Sequence, residues 1–197
     1  MENKETYSVL IVGVGGQGTI VSSAILVNLA MEMGHDVKSS ELHGLARRGG
    51  AVNSHIRFGK KVASPLIPLA GADLLVAFEE LEAIRWAGYL KPDGKLVVNN
   101  SKVMPVLATS GMVVYPQDPI GMMKTSGLEP IVIDGTSVAN EMGKALYLNI
   151  AMLGYISNFF DFSLVDWENK VKERVPKFKE DNWQAFLKGR DLSPMSN

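Results

Sequence analysis

The chain is predicted to be an α/β protein built on a mostly parallel sheet. Three observations predict it. Short apolar runs such as Tyr7 to Val12 and Asp73 to Phe78 read as buried strands. Longer stretches with helix start and stop signals alternate with them. The first run leads at once into a glycine-rich turn and an apolar helix, the opening of a crossover unit.

Taken in order, Tyr7 to Val12 is a strand and Gly13-Val14-Gly15-Gly16-Gln17-Gly18 a turn. Thr19 to Met33 is a helix, apolar over most of its circumference, with Gly34 at the C-cap glycine position. A helix that apolar belongs between a sheet and a further layer. His35 to Ser40 is a second strand, and a polar loop, Glu41 to Gly50, follows it. In the next strand, from Ala51 to Lys60, Val52, Ser54, Ile56 and Phe58 alternate with Asn53, His55 and Arg57. Gly59-Lys60-Lys61 is expected to turn it back on Val62 to Ser64 as an antiparallel hairpin. Pro65 and Pro68 mark a non-helical connector.

Asp73 to Phe78 is then a strand, and Glu79 to Leu90 a helix with three glutamates in its first turn, where the macrodipole favours them. Lys91-Pro92-Asp93-Gly94 is a turn, and Lys95 to Asn99 and Met112 to Tyr115 are strands. Asp118-Pro119 opens a short helix. Ile131 to Ile133 is a strand, and Asp134-Gly135-Thr136 begins a helical segment, from about residue 136 to 190, interrupted near Pro176. Leu192 to Asn197 is expected to be a frayed tail.

The composition sets bounds. A length of 197 residues suits one domain, 1–197. A formal net charge of -1 gives no electrostatic case for nucleic acid. The longest apolar stretch, Ala145 to Phe160, carries Asn149, Ser157 and Asn158 and falls short of the roughly 20 residues that cross a bilayer. With no secretory signal pattern at the start, the expected compartment is the cytoplasm. Cysteine is absent, which excludes disulfides, thiolate nucleophiles, thiolate-held iron–sulfur clusters and cysteine zinc sites. His35, His43 and His55 show no metal-ligand spacing, so no metal site is expected.

Two segments carry the candidate chemistry. Gly13, Gly15 and Gly18 fit G-x-G-x-x-G between a strand and a helix, the opening of a Rossmann-like three-layer fold. Glycines permit the tight turn, and bare amides at a helix N-terminus attract an anion. Gly16 completes the loop, the Gln17 amide is a candidate donor to a ligand, and Glu41 stands where a ribose-binding acid would. The same loop also serves as a tight turn with no ligand. The second segment is Glu41-Leu42-His43-Gly44-Leu45-Ala46-Arg47-Arg48-Gly49-Gly50. Arg47 and Arg48 offer planar forks to phosphate or carboxylate, His43 exchanges a proton near neutral pH, and Gly49 and Gly50 free the backbone. Pairing of these arginines with acids of the chain is the alternative.

Other features read as structural. Glu79, Glu80 and Glu82 suit helix stabilisation better than acid catalysis, and His55 suits a half-buried or surface position. Lys170, Lys172, Glu173, Arg174, Lys177, Lys179 and Glu180 read as a solvated helical face. Tyr147 to Phe160 is apolar all round and belongs in the core or against a partner. No P-loop, no Gly-x-Ser-x-Gly elbow and no nucleophile–base–orienter set occurs, so no catalytic residue is assigned.

Five segments together resemble a known family. They are the glycine turn, Ser40-Glu41-Leu42-His43-Gly44, Arg48-Gly49-Gly50, Ser54-His55-Ile56-Arg57-Phe58-Gly59 and Ser64-Pro65-Leu66-Ile67-Pro68. In that order they are similar to the gamma-type domain of 2-oxoacid:ferredoxin oxidoreductases, nearest to the small (beta) subunit of the indolepyruvate enzymes. Ala72 to Glu79, Asn149 with Leu153-Gly154, and Asn182 with Ala185-Phe186 continue the resemblance. It implies a holoenzyme that oxidatively decarboxylates an aryl pyruvate to an aryl-acetyl-CoA and carbon dioxide and reduces ferredoxin. It also implies that thiamine diphosphate, iron–sulfur clusters and Mg belong to a large partner subunit, with CoA as cosubstrate and no cofactor held by this chain alone. The small subunit helps form the CoA or substrate cleft, and the isolated chain is inactive, either alone or as a homodimer. A gamma subunit acting on pyruvate, 2-oxoglutarate or another 2-oxo acid is the rival within the family. A stand-alone dinucleotide-binding protein and a non-catalytic interaction module are rivals of other classes.

Overall fold

A computed structural model describes residues 5–43, 50–104 and 114–195. Its strands are β1 (Thr6–Val14), β2 (Asp36–His43), β3 (Ala51–Gly59), β4 (Ala72–Ala77), β5 (Leu90–Asn99) and β6 (Pro130–Ile133). Its helices are α1 (Thr19–Glu32), α2 (Glu80–Trp86), α3 (Pro119–Thr125), α4 (Gly135–Glu141), α5 (Leu148–Ile156), α6 (Leu164–Arg174) and α7 (Lys179–Arg190). The strands form one sheet in the order β2-β3-β1-β4-β5-β6. β1, β4, β5 and β6 pair in parallel, and β3 runs antiparallel to both of its neighbours, β1 and β2. The α/β class, the mostly parallel sheet and the antiparallel excursion match the sequence expectation.

Each strand of the centre is apolar on both sides, because both faces of the sheet are covered. Val9, Ile11, Ile56, Phe58, Val76 and Val97 face α1 and the C-terminal helices. Leu10, Val12, Leu75, Ala77, Leu96 and Val98 face the opposite layer, with Ala83 of α2 and Met123 of α3. α1 is therefore apolar nearly all round, with the sheet on one side and α5 and α6 on the other. Every residue of α5 is buried, which explains a helix with no polar face.

Several boundaries differ from the sequence reading. The antiparallel excursion is not a hairpin of 51–60 with Val62 to Ser64, which form no strand. It is the insertion of β3 between β2 and β1, and Val62 instead donates its amide to Asp36 Oδ2 at 2.8 Å. β2 extends through Glu41, Leu42 and His43, since pairing with Ser54, Asn53 and Val52 outweighs their polar character. Lys91 to Gly94 lies within β5 as an irregularity: Ala72 pairs with Leu90 and Leu74 with Lys95. The expected helix 79–90 is α2 followed by a 3-10 turn at Ala87–Tyr89. Val114 and Tyr115 are not in a strand, and residues 112 and 113 of that expected strand lie outside the described residues. The C-terminal segment breaks after α4 and after α5, as well as beside Pro176. Its tail is held rather than frayed as far as Met195, whose amide donates to Val132 O at 2.8 Å. Residues 196 and 197 lie outside the described residues.

Candidate functional site at the carboxyl edge of the sheet

The carboxyl ends of β1, β2, β4, β5 and β6 and the start of β3 share one edge of the sheet. From β1 the chain passes through α1 to one side, while β4 begins the other side and is followed by α2 on the opposite face. The gap between β1 and β4 is thus a topological switch point, where open α/β sheets place ligands.

The glycine loop sits at that point. Gly16 and Gly18 have φ of 106° and 80°, the left-handed region that glycine occupies without penalty. Gln17 holds the loop shut. Its Oε1 accepts the Val14 amide at 2.8 Å, and its Nε2 donates to Phe78 O at the end of β4 at 3.0 Å. The Gln17 amide group, read from sequence as a ligand donor, is engaged within the chain. A Cβ on Gly13 would lie 2.8 Å from Gln17 Oε1, and one on Gly18 would lie 2.7 Å from Asn149 Nδ2. Among the described residues, nothing approaches within 4 Å of a Cβ position on Gly16 at the apex of the loop.

The second candidate segment meets the first. The Gly15 amide donates to Gly50 O at 2.8 Å, which ties the glycine loop to the entry of β3. Glu41 lies on β2 opposite Ser54, and its Oε1 accepts from Ser23 Oγ of α1 at 3.0 Å. His43 is the last residue of β2, paired with Val52. Arg47, Arg48 and Gly49 lie outside the described residues.

Polar side chains beyond these lace the edge together. Asn99 ends β5; its Nδ2 donates to Thr136 Oγ1 at 3.0 Å and to Phe78 O at 3.3 Å, and its Oδ1 accepts the Gly135 amide at 3.0 Å. Glu79, Glu80 and Glu82, read from sequence as helix-stabilising acids, are all buried. Glu79 is the N-cap of α2, its Oε2 accepting the Glu82 amide at 3.0 Å. Glu82 accepts from Arg85 at 2.5 Å and from Trp86 Nε1 at 3.3 Å. Burial holds the Glu80 and Glu82 carboxyls above their ordinary value, against the pull of Lys102 and Arg85. His55 is buried too, not half-exposed. Its Nδ1 accepts the Ile67 amide at 3.2 Å, Trp86 and Tyr89 pack on its ring, and burial lowers its pKa. Lys170, assigned from sequence to a solvated face, is buried and paired with Glu32 and Glu173.

Sequence reasoning missed Asn99 as a lacing residue and the burial of the glutamates. A signal existed: an asparagine closing an apolar strand, and three acids directly after another, at the edge where strands end.

A family model described as pyruvate ferredoxin/flavodoxin oxidoreductase matches residues 8–192. The chain belongs to this family. Within this oxidoreductase family, it is 34% identical over 187 residues to the indolepyruvate oxidoreductase subunit IorB of Archaeoglobus fulgidus, covering 92% of this chain and 92% of that protein. It is 35% identical to the IorB subunit of Methanothermobacter thermautotrophicus, covering 93% of this chain and 95% of that one. The pyruvate oxidoreductase subunit PORC of Thermotoga maritima shares the fold, with a TM-score of 0.73 at 21% identity over 98% of this chain and 100% of that one.

Proposed function

We propose that this chain is the small subunit of an indolepyruvate-type 2-oxoacid:ferredoxin oxidoreductase. The assembly would use thiamine diphosphate to decarboxylate an aryl pyruvate oxidatively, forming an acyl-CoA and reducing ferredoxin. The observation that carries the reading is similarity to IorB subunits over more than nine-tenths of the chain, at 30% to 35% identity.

The chemistry of the residues supports a divided enzyme. With no cysteine, the chain's donor set does not fit a thiolate-held iron–sulfur cluster. Among the described residues, no group of three or more His, Asp or Glu is placed to hold a metal ion. In this reading, as the family resemblance implies, clusters, thiamine diphosphate and Mg belong to the large partner, and CoA is the cosubstrate.

This chain contributes a wall of the cleft. Gly13, Gly15, Gly16, Gln17 and Gly18 form its rigid part, and the space at Gly16, open among the described residues, admits close approach by a ligand or by the partner subunit. Glu41 and His43 lie at the end of β2, across β3 from it, Gly50 leads into β3, and Gly49 is assigned to the same wall. In this reading Arg47 and Arg48 pair with CoA phosphates or with the carboxylate of the oxo acid, the fit that planar guanidinium forks provide.

Co-expression with the large chain tests the proposal. The complex is expected to reduce ferredoxin when given indolepyruvate and CoA, and the isolated small chain to do neither. Turnover by the 197-residue chain alone would overturn the division of labour. An unchanged Michaelis constant for CoA in a normally assembled Arg47→Ala/Arg48→Ala complex would reject the role of the arginines.

A further inference from the structure

The acid at the carboxyl end of β4 has more partners than helix capping requires. Glu79 is 1% exposed, and its Oε2 caps α2 through the Glu82 amide. Serine, threonine, aspartate or asparagine would cap on a shorter stem. The extra methylene of glutamate carries the second oxygen farther. Oε1 accepts the Val103 amide at 3.2 Å and the Tyr115 hydroxyl. Val103 lies before residues 105–113 and Tyr115 after them, so one oxygen ties both flanks of the connection from β5 to α3. A neighbouring pair reinforces the tie: Lys102 Nζ donates to Gln117 O at 2.9 Å and stands 3.8 Å from Glu80 Oε2.

The residue before Glu79 anchors the glycine loop. Phe78 O receives Gln17 Nε2, and Phe78 N donates to Val12 O at 2.9 Å. Two adjacent residues at the end of β4 therefore hold the glycine loop on one side and Val103 and Tyr115 on the other. Burying a carboxylate is costly unless several donors meet it, and a neutral cap would avoid that cost. Retaining an acid here fits a demand beyond the stability of α2. Burial and the Glu79 hydrogen bond push the Tyr115 hydroxyl up, so it stays protonated as the donor.

We propose that Glu79 is a positioning residue: it fixes Val103 and Tyr115 against the root of the glycine loop and so sets the shape of the cleft that holds the oxo acid and CoA. The proposal rests on the reading of this edge as the substrate-facing side of the subunit.

The test uses the complex of this chain with its large partner. Glu79→Ala is expected to raise the KM for oxo acid or CoA by about tenfold while kcat stays within about twofold. Glu79→Gln keeps one acceptor oxygen for Val103 and Tyr115 but turns its NH2 on the Glu82 amide, and is expected to recover part of that loss. Tyr115→Phe removes the tie to one flank, leaves the α2 cap intact, and should raise the same KM by about threefold. Amide hydrogen exchange reads the geometry independently of turnover: the Val103 amide should lose about tenfold of its protection in Glu79→Ala. Unchanged Val103 protection would overturn the clamp itself. Lost protection with unchanged KM in both variants would overturn its role in the cleft. A wild-type complex that turns over no 2-oxo acid would overturn the functional reading and the cleft role, while the exchange result would still decide the clamp.

Discussion

The carboxamide oxygen of Gln17 lies 2.8 Å from the position a Cβ on Gly13 would take. The first glycine of the motif is thus demanded by a side chain of the same loop. Thr19 Cγ2 at 2.9 Å and Phe78 Cβ at 3.0 Å close the same space. Asn149 makes the equivalent demand on Gly18, with three side-chain atoms within 2.9 Å of its Cβ position. In this chain, two glycines of G-x-G-x-x-G make room for protein.

That relationship makes a double-mutant cycle informative. Gly13→Ala is expected to cost about 1–3 kcal/mol by overpacking. Gln17→Ala is expected to cost about 1–3 kcal/mol, because the Val14 amide loses its acceptor, although Phe78 O retains Asn99. The double variant should cost less than the sum by about 0.5 kcal/mol or more, since removing Gln17 frees space beside Gly13. Urea unfolding of the four proteins measures it. Additive penalties would mean that the two residues do not compete for the same space.

The order of strands and helices was legible because apolar runs, capping residues and glycines punctuate it. Asp118 and Asp134, read as starts of helices, do cap α3 and α4. The sheet order was not legible. The alternation of Val52, Ser54, Ile56 and Phe58 reveals a strand but not its neighbours, and β3 found β1 and β2 rather than Val62 to Ser64. Burial of charge was equally hidden. Three acids within four residues, Glu79, Glu80 and Glu82, look like a helix start whether they face water or Arg85, Tyr115 and Trp86. The polar Glu41-Leu42-His43 stretch read as loop because local propensity ignores the ladder that β3 supplies.

His55 should make the fold acid-sensitive. Its Nδ1 accepts the Ile67 amide, so the proton sits on Nε2, and protonation of Nδ1 would break that bond. Burial lowers its pKa below the ordinary 6.5. Above that value the residue is neutral whether folded or unfolded, and stability is complete. As pH falls through it, the unfolded chain takes up a proton that the folded chain refuses, and stability is lost. His55→Gln retains an acceptor for Ile67 and should flatten the fall in melting temperature between about pH 7 and 5. An equally steep fall in the variant would assign the acid sensitivity to other groups.

Glu82 acts with the opposite sign in a lower window. Burial raises its pKa above the ordinary 4.5, with Arg85 and Trp86 only partly offsetting that. Its contribution is fully present below that value and diminishes as pH rises through the folded pKa. Glu82→Gln leaves Trp86 Nε1 an acceptor and removes the buried charge. It should therefore gain stability relative to wild type as pH rises from about 4.5 toward neutrality. Loss of stability at neutral pH but not at acid pH would show that the Arg85 pair outweighs burial.

The crossing of α5 and α7 is tighter than any side chain allows. A Cβ on Gly189 would lie 2.0 Å from Ala151 O, and one on Gly154 would lie 2.0 Å from Phe186 O. The obstacle in both cases is backbone, which cannot rotate aside, so Gly189→Ala should cost about 3 kcal/mol or more. At about 2–4 °C per kcal/mol for a chain of this size, that is a fall in melting temperature of about 6–12 °C. Gly88→Ala is the control, since its nearest neighbour is Leu69 Cδ2 at 4.0 Å, and it should shift stability by no more than about 0.5 kcal/mol. The strain should also travel. α5 carries Asn149 against Gly18, and Ser22 Oγ of α1 donates to Asn149 O at 2.9 Å. Forcing α5 away from α7 presses it toward α1 and the glycine loop. In Gly189→Ala the amide of Gln17, bonded to Val14 O at 3.1 Å, should exchange faster than in wild type, whereas in Gly88→Ala it should not.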